Sequence, residues 1–239
     1  MDILKIVNQY LLFIDTEASG LPKKWNEPYS KPNNWPHSVQ TSWLIFDKEG
    51  REIKREDHYI KDQDFTISSS SIKIHGITSE YLATHGENRN EVMQKLYDDL
   101  VNYQPMVIGH FMELDYHVLA ADFYRSNIPN PIEGSGLPAF CTMMATTQFV
   151  KNPQRKFMKL GELYDHLFHA HLIKPHNAIY DAKATADCFF ELLKRGDLSE
   201  QLVDSSPLDL ALKPKKETRN SWAFFSIILL FILLIALSV

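Results

Sequence analysis

Four apolar residues, Leu11-Leu12-Phe13-Ile14, run without a break into Asp15, Thr16 and Glu17. So short an apolar run, followed by Gly20 and Pro22, reads as a buried strand over residues 10–14. Strand alternation turns Asp15 and Glu17 to one face. Two carboxylates at the end of a buried strand are costly unless something offsets their charge. No Lys or Arg stands beside Asp15 in the sequence, so a bound cation is the expected compensation.

Further strands are expected over 38–46, 52–60 and 106–109, with turn signals at Asp47 and Gly50. Helical periodicity predicts helices over 90–101, 113–125, 142–150, 160–168 and 179–194. Residues 23–37, with Pro28, Pro32 and Pro36, form a loop, as do residues 129–138. Strands early, helices late and a strand-to-helix crossover between them predict a mixed α/β sheet.

Two more acidic residues stand where loops of such a sheet converge. Asp115 lies in the first turn of the helix that leaves the buried strand at 106–109, and Asp181 opens the last long helix, with His176 in the loop before it. Each has a plain structural explanation, since an acidic residue in a first turn stabilises its helix dipole. Together with Asp15 and Glu17 they make a hard, anionic oxygen site. Such a site suits Mg²⁺ or Mn²⁺, and two ions can clamp the entering and leaving oxygens of a phosphoryl displacement.

The order of these segments carries a resemblance. FIDTEASGL (13–21), VIGHFMELDYHVL (107–119) and HNAIYDA (176–182) resemble the three motifs of the DEDDh 3′→5′ exonucleases, and HGIT (75–78) and CTM (141–143) are similar to secondary signatures of that group. The likeness covers about residues 9–196. It implies an RNase H-like fold: a mixed five-stranded sheet flanked by helices. It implies two Mg²⁺, replaceable by Mn²⁺, held by Asp15, Glu17, Asp115 and Asp181, with His176 as general base. Nucleoside 5′-monophosphates would then leave the 3′ end of a DNA or RNA strand, with DNA favoured. Thr16, Leu21, His75 and Ile77 would contact that substrate. The second motif usually has Asn after its His, where this chain has Phe111. A homodimer is compatible with the resemblance.

The final 18 residues, WAFFSIILLFILLIALSV, carry no charge, Gly or Pro. As a helix they would span about 27 Å, near the roughly 30 Å of a bilayer core. Lys213, Lys215, Lys216 and Arg219 precede them, so the basic flank is expected on the cytoplasmic side. The expected organisation is an exonuclease domain over 1–204, a basic linker over 205–221 and a C-terminal membrane anchor over 222–239 that engages lipid. No N-terminal signal peptide is expected, and Cys141 and Cys188 form neither a metal motif nor a disulfide framework.

Charge narrows the mode of binding. Residues 1–210 hold 21 basic and 29 acidic side chains, a net −8. A protein that wraps a long stretch of nucleic acid is basic, so either the substrate is small or it is held over a few nucleotides, with bound metal supplying local positive charge. Two other functions fit the same sequence: a membrane-tethered nucleic-acid-binding module with weak activity, and a phosphodiesterase for very short oligonucleotides. Trp25, Tyr29 and Trp35 either stack on bases or anchor their loop. His166, His169 and His171 lack the i, i+4 spacing that would place two zinc ligands on one helix face.

Overall fold

The computed structural model describes residues 8–61, 64–133, 136–205, 208 and 210. Its centre is a strand, β1 (Tyr10–Ala18), that runs through the acidic pair instead of stopping at Ile14. β1 pairs antiparallel with β2 (Ser38–Asp47), which pairs antiparallel with β3 (Glu52–Tyr59). On its other side β1 pairs parallel with β4 (Met106–Gly109), and β4 parallel with β5 (Ala139–Cys141). The order is therefore β3-β2-β1-β4-β5, a mixed five-stranded sheet.

Strand alternation sorts the core into two layers. Leu12, Ile14, Trp43 and Ile45 face helices α3 (Arg89–Tyr103) and α4 (Met112–Ser126), meeting Val92, Leu96, Leu119 and Phe123. Leu11, Phe13, Leu44 and Phe46 face α6 (Leu160–Phe168) and α7 (Ala178–Arg195), meeting Leu163, Leu167, Ala186 and Phe189. Buried on both faces, the Leu11–Ile14 stretch of β1 reads as a continuous apolar run with no polar alternation. β3, at the sheet edge, carries EIKREDHY, a charged strand that discourages pairing with other chains.

Two short helices, α1 (Ser69–His75) and α2 (Ser79–His85), were not apparent from periodicity because they bury almost nothing; Leu82 is their one buried residue. Between them Gly76 adopts φ 74°, a left-handed cap that favours glycine, and the Thr78 hydroxyl caps α2. The helix expected over 142–150 is instead a single turn, α5 (Thr142–Ala145), followed by a 3-10 turn at Thr147–Phe149. A last short helix, α8, covers Glu200–Ser205.

The loop at 23–37 is pinned to α4. Trp35 donates its indole N–H to the Glu27 carbonyl and stacks on His117, with centroids 4.8 Å apart. Tyr29 hydrogen-bonds His117 Nδ1 at 2.8 Å, and Arg125 donates to the Trp35 and Pro36 carbonyls. Trp35 and Tyr29 thus anchor the loop. Among the described residues no helix is long and apolar enough to cross a membrane; the apolar segment 222–239 and most of the basic linker lie outside them.

Candidate active site

Asp15 and Glu17 share the α7 face of β1, and Thr16 points to the α4 face. The neighbours follow from this. Asp115, in the first turn of α4, accepts hydrogen bonds on Oδ1 from the Thr16 amide at 2.9 Å and the Thr16 hydroxyl at 2.8 Å. Gly109, at the end of β4, leaves room for this approach: a Cβ there would lie 3.0 Å from Met112 Sδ and 3.4 Å from Asp115 Oδ2. Asp181, in the first turn of α7, comes from the opposite layer, and its Oδ2 accepts the His176 backbone N–H at 2.9 Å.

His176 reaches this position in the left-handed region, φ 63°. One ligand atom each from Glu17, His176 and Asp181 lie within 4.8 Å of one another. The cluster thus draws in His176 directly, beside the carboxylates expected to hold metal.

Burial raises the pKa of all four carboxylates, and repulsion from the others adds to it at Asp15, Glu17 and Asp115. Loss of water, then repulsion from Asp181 and Asp115, pushes Glu17 up to about 8. Burial lifts Asp115 to about 7 against the opposing bonds from Thr16, and lifts Asp181 to about 6 against the bond from His176. Asp15 is raised well above the carboxylate range by burial and by Asp115, Asp181 and Glu17. Among the described residues no Lys or Arg forms an ion pair with any of the four. Asp181 Oδ1 is buried without a hydrogen-bond partner. An anionic pocket of hard oxygens, one of them orphaned, fits a divalent cation.

The other expected contacts divide. Leu21 is 74% exposed. His75 accepts the Ile77 N–H on Nδ1, and burial, with His176 nearby, holds its pKa below the usual histidine range. Ile77 is buried with Val39 and Leu82, so its side chain packs the core and is not presented to a substrate. Thr16 holds Asp115. His110 is buried, which pushes its pKa down to about 4; it bonds the Thr142 hydroxyl and lies 3.0 Å from the Met158 carbonyl. His171 pairs with Asp165, His169 caps α6 and His166 packs on Phe149, each in a separate local role.

Gln40 was not among the residues expected at the site. Paired with Glu17 across β1 and β2, it is fully buried. Its Oε1 accepts the Ala178 N–H at 3.1 Å and its Nε2 donates to Asp57 at 2.8 Å. It therefore ties the start of α7, which carries Asp181, to the sheet. A lone Gln inside SVQTSW marks a polar position in a strand but does not reveal what it bonds.

Residues 12–189 match the RNase_T family model, described as exonuclease. The chain belongs to the RNase_T exonuclease family. It is a DEDDh-type exonuclease domain on an RNase H-like fold, and a nuclease by family. E. coli exonuclease I in complex with a dT13 oligonucleotide superposes with a TM-score of 0.64 at 18% identity, over 78% of this chain and 41% of that one. The zinc-bound form of the E. coli exonuclease I–ssDNA complex gives 0.61 at 19%, over 79% and 41%. Exonuclease I from Methylocaldum szegediense gives 0.63 at 19%, over 78% and 40%. At these identities the likeness is one of fold, and the exonuclease chain spans about two-fifths of each of these proteins. No curated protein matches it in sequence.

Proposed function

We propose that this exonuclease removes nucleoside 5′-monophosphates from the 3′ end of single-stranded DNA with the help of two Mg²⁺, which Mn²⁺ can replace. The observation that carries this reading is the cluster of four buried carboxylates with which no Lys or Arg among the described residues forms an ion pair, with His176 beside Glu17 and Asp181. The oligonucleotide-bound exonuclease I structures, which share the fold, support the choice of single-stranded DNA.

Asp15, Glu17, Asp115 and Asp181 would hold the metal, which supplies positive charge to the reacting phosphate and acidifies a water. His176 takes the proton of the attacking water on an imidazole nitrogen. Its backbone N–H bond to Asp181 anchors the loop that carries that ring. One P–O bond to water forms as the P–O bond to the upstream 3′ oxygen breaks, leaving a free mononucleotide and a strand one residue shorter. Thr16 holds Asp115 in place, while Leu21 and His75 border the terminal nucleotide. We assign residues 1–204 to this domain and 222–239 to a membrane tether, with the domain on the cytoplasmic side of its basic flank 205–221.

The test uses the full chain in mild detergent with 5′-labelled DNA and RNA of one sequence, in Mg²⁺, Mn²⁺ or EDTA. A ladder that shortens from the 3′ end of DNA, and that is lost in EDTA and in Asp181→Asn, is the expected result. Internal cuts, or full activity in Asp181→Asn, would overturn the reading.

A further inference from the structure

Phe111 stands where the resemblance leads one to expect Asn, and the structure shows what took its place. It sits at the N-terminal boundary of α4, one turn before Asp115, and is 39% exposed. Beside it lies Trp25, 40% exposed, with ring centroids 6.2 Å apart and planes 38° from parallel. Trp25 is not a loose side chain. Asn34 accepts from the Lys23 and Lys24 amides and donates to the Lys24 carbonyl, so three hydrogen bonds hold the backbone that leads into it. Beneath it Trp35 and His117 pack edge-on at 6.2 and 6.0 Å.

We propose that Trp25 and Phe111 form a stacking platform for a nucleobase of the strand upstream of the scissile phosphate. This rests on the exonuclease reading above. Two physical arguments select that occupant. The first is direction. In-line displacement puts the entering and leaving oxygens on opposite sides of the phosphorus. His176 and Asp181 stand on the α7 side of β1, so the leaving 3′ oxygen points to the α4 side. The nucleoside that carries it lies upstream, toward Phe111 and Trp25. The second is charge. Residues 1–210 are net −8, which leaves little for phosphate attraction to supply. Stacking on aromatic faces holds single strands of any sequence without it.

The test compares two substrates on the full chain with Mg²⁺. One is a thymidine octamer. The other is the 2,2,2-trifluoroethyl ester of thymidine 5′-monophosphate, in which a non-aromatic alcohol replaces the upstream nucleoside. In Trp25→Leu and Phe111→Leu, kcat/KM on the octamer should fall roughly ten-fold further than on the ester, mainly through KM, within the range for loss of one base–aromatic stack. Phe111→Tyr should restore most of it. Equal losses on both substrates, or Tyr no better than Leu, would show a merely structural role and overturn the platform.

Octamer binding in Ca²⁺, read by fluorescence anisotropy, separates the two readings. If the wild type cleaves neither substrate but the Leu variants bind the octamer about ten-fold more weakly, the exonuclease reading falls and the platform stands. If the Leu variants bind as the wild type does, or the wild type does not bind, the platform falls.

Discussion

Asp115 shows how much of the site depends on a neighbour of no obvious chemistry. Its carboxylate is buried, and the two bonds from Thr16 are what oppose the upward drift of its pKa. Thr16→Val keeps the shape and the amide bond but removes the hydroxyl, so the Asp115 pKa should rise further from about 7. Protonated Asp115 cannot hold a cation, so the acid limb of the pH–rate profile should move to higher pH. Activity should fall several-fold at pH 7 and recover above pH 8. A loss of equal size at every pH would show that the hydroxyl does not act through this carboxylate. That Asp15 and Glu17 lie near a strand end and Asp115 and Asp181 at helix starts was legible from apolar periodicity. Thr16 was legible as a neighbour of the acidic pair but not in its role, since alternation says which face a side chain takes and not what it meets there. Ile77 was misread as a substrate contact for the opposite reason: a β-branched residue after Gly76 gives no local sign that Val39 and Leu82 close over it.

At the scale of elements, the site is assembled where β1 ends and α4 and α7 begin, and the join at α7 depends on Gln40. The Ala178 N–H is one of the amides at a helix start that lack an intrahelical partner. Gln40→Leu leaves that N–H buried and unpaired and takes one hydrogen bond from Asp57, which keeps the Ser42 hydroxyl, at a cost of about 1–3 kcal/mol. Because Asp181 and His176 ride on the same helix start, kcat should drop with stability. Chemical denaturation and steady-state kinetics on the same variant check both. A destabilised protein with wild-type kcat would disconnect Gln40 from the site. The long elements were readable from sequence because each buries a continuous face. β5 has only three residues, and α1 and α2 bury almost nothing, so none of them leaves a periodic signal. β1 was underestimated because a charged pair reads as the end of a strand, whereas Asp15, Thr16 and Glu17 continue its pairing with Ser42, Thr41 and Gln40.

The whole molecule carries two sets of buried titrating groups that respond to pH in opposite directions. Burial pushes His37, His110 and His117 down to about 4 from an ordinary 6.5. Between pH 4 and 6.5 the unfolded chain binds protons that these native histidines refuse, so their contribution to stability rises with pH over that window, where the buried carboxylates oppose it. Glu17 at about 8 and Asp115 at about 7, with Asp15 also high, do the reverse. From pH 6.5 to 8 the native state keeps protons that an unfolded chain, with carboxylates near 4, has already lost. Stability must then fall as pH rises. One proton retained across most of that window is worth about 1 kcal/mol or more, or roughly 2–4 °C in a domain of this size. A divalent cation replaces those protons as the neutralising charge, so it binds more tightly as pH rises. Thermal unfolding of the full chain in detergent should therefore show a melting temperature that falls between pH 6.5 and 8 in EDTA. The gain on adding Mg²⁺ should widen over the same interval, and Asp115→Asn should flatten the fall in EDTA. A melting temperature in EDTA that holds steady or climbs over this window would mean that the four carboxylates are not competing for charge in the folded protein. The same crowding that destabilises the metal-free domain is what lets it capture a cation, so a pocket without that strain would also be a weak metal site.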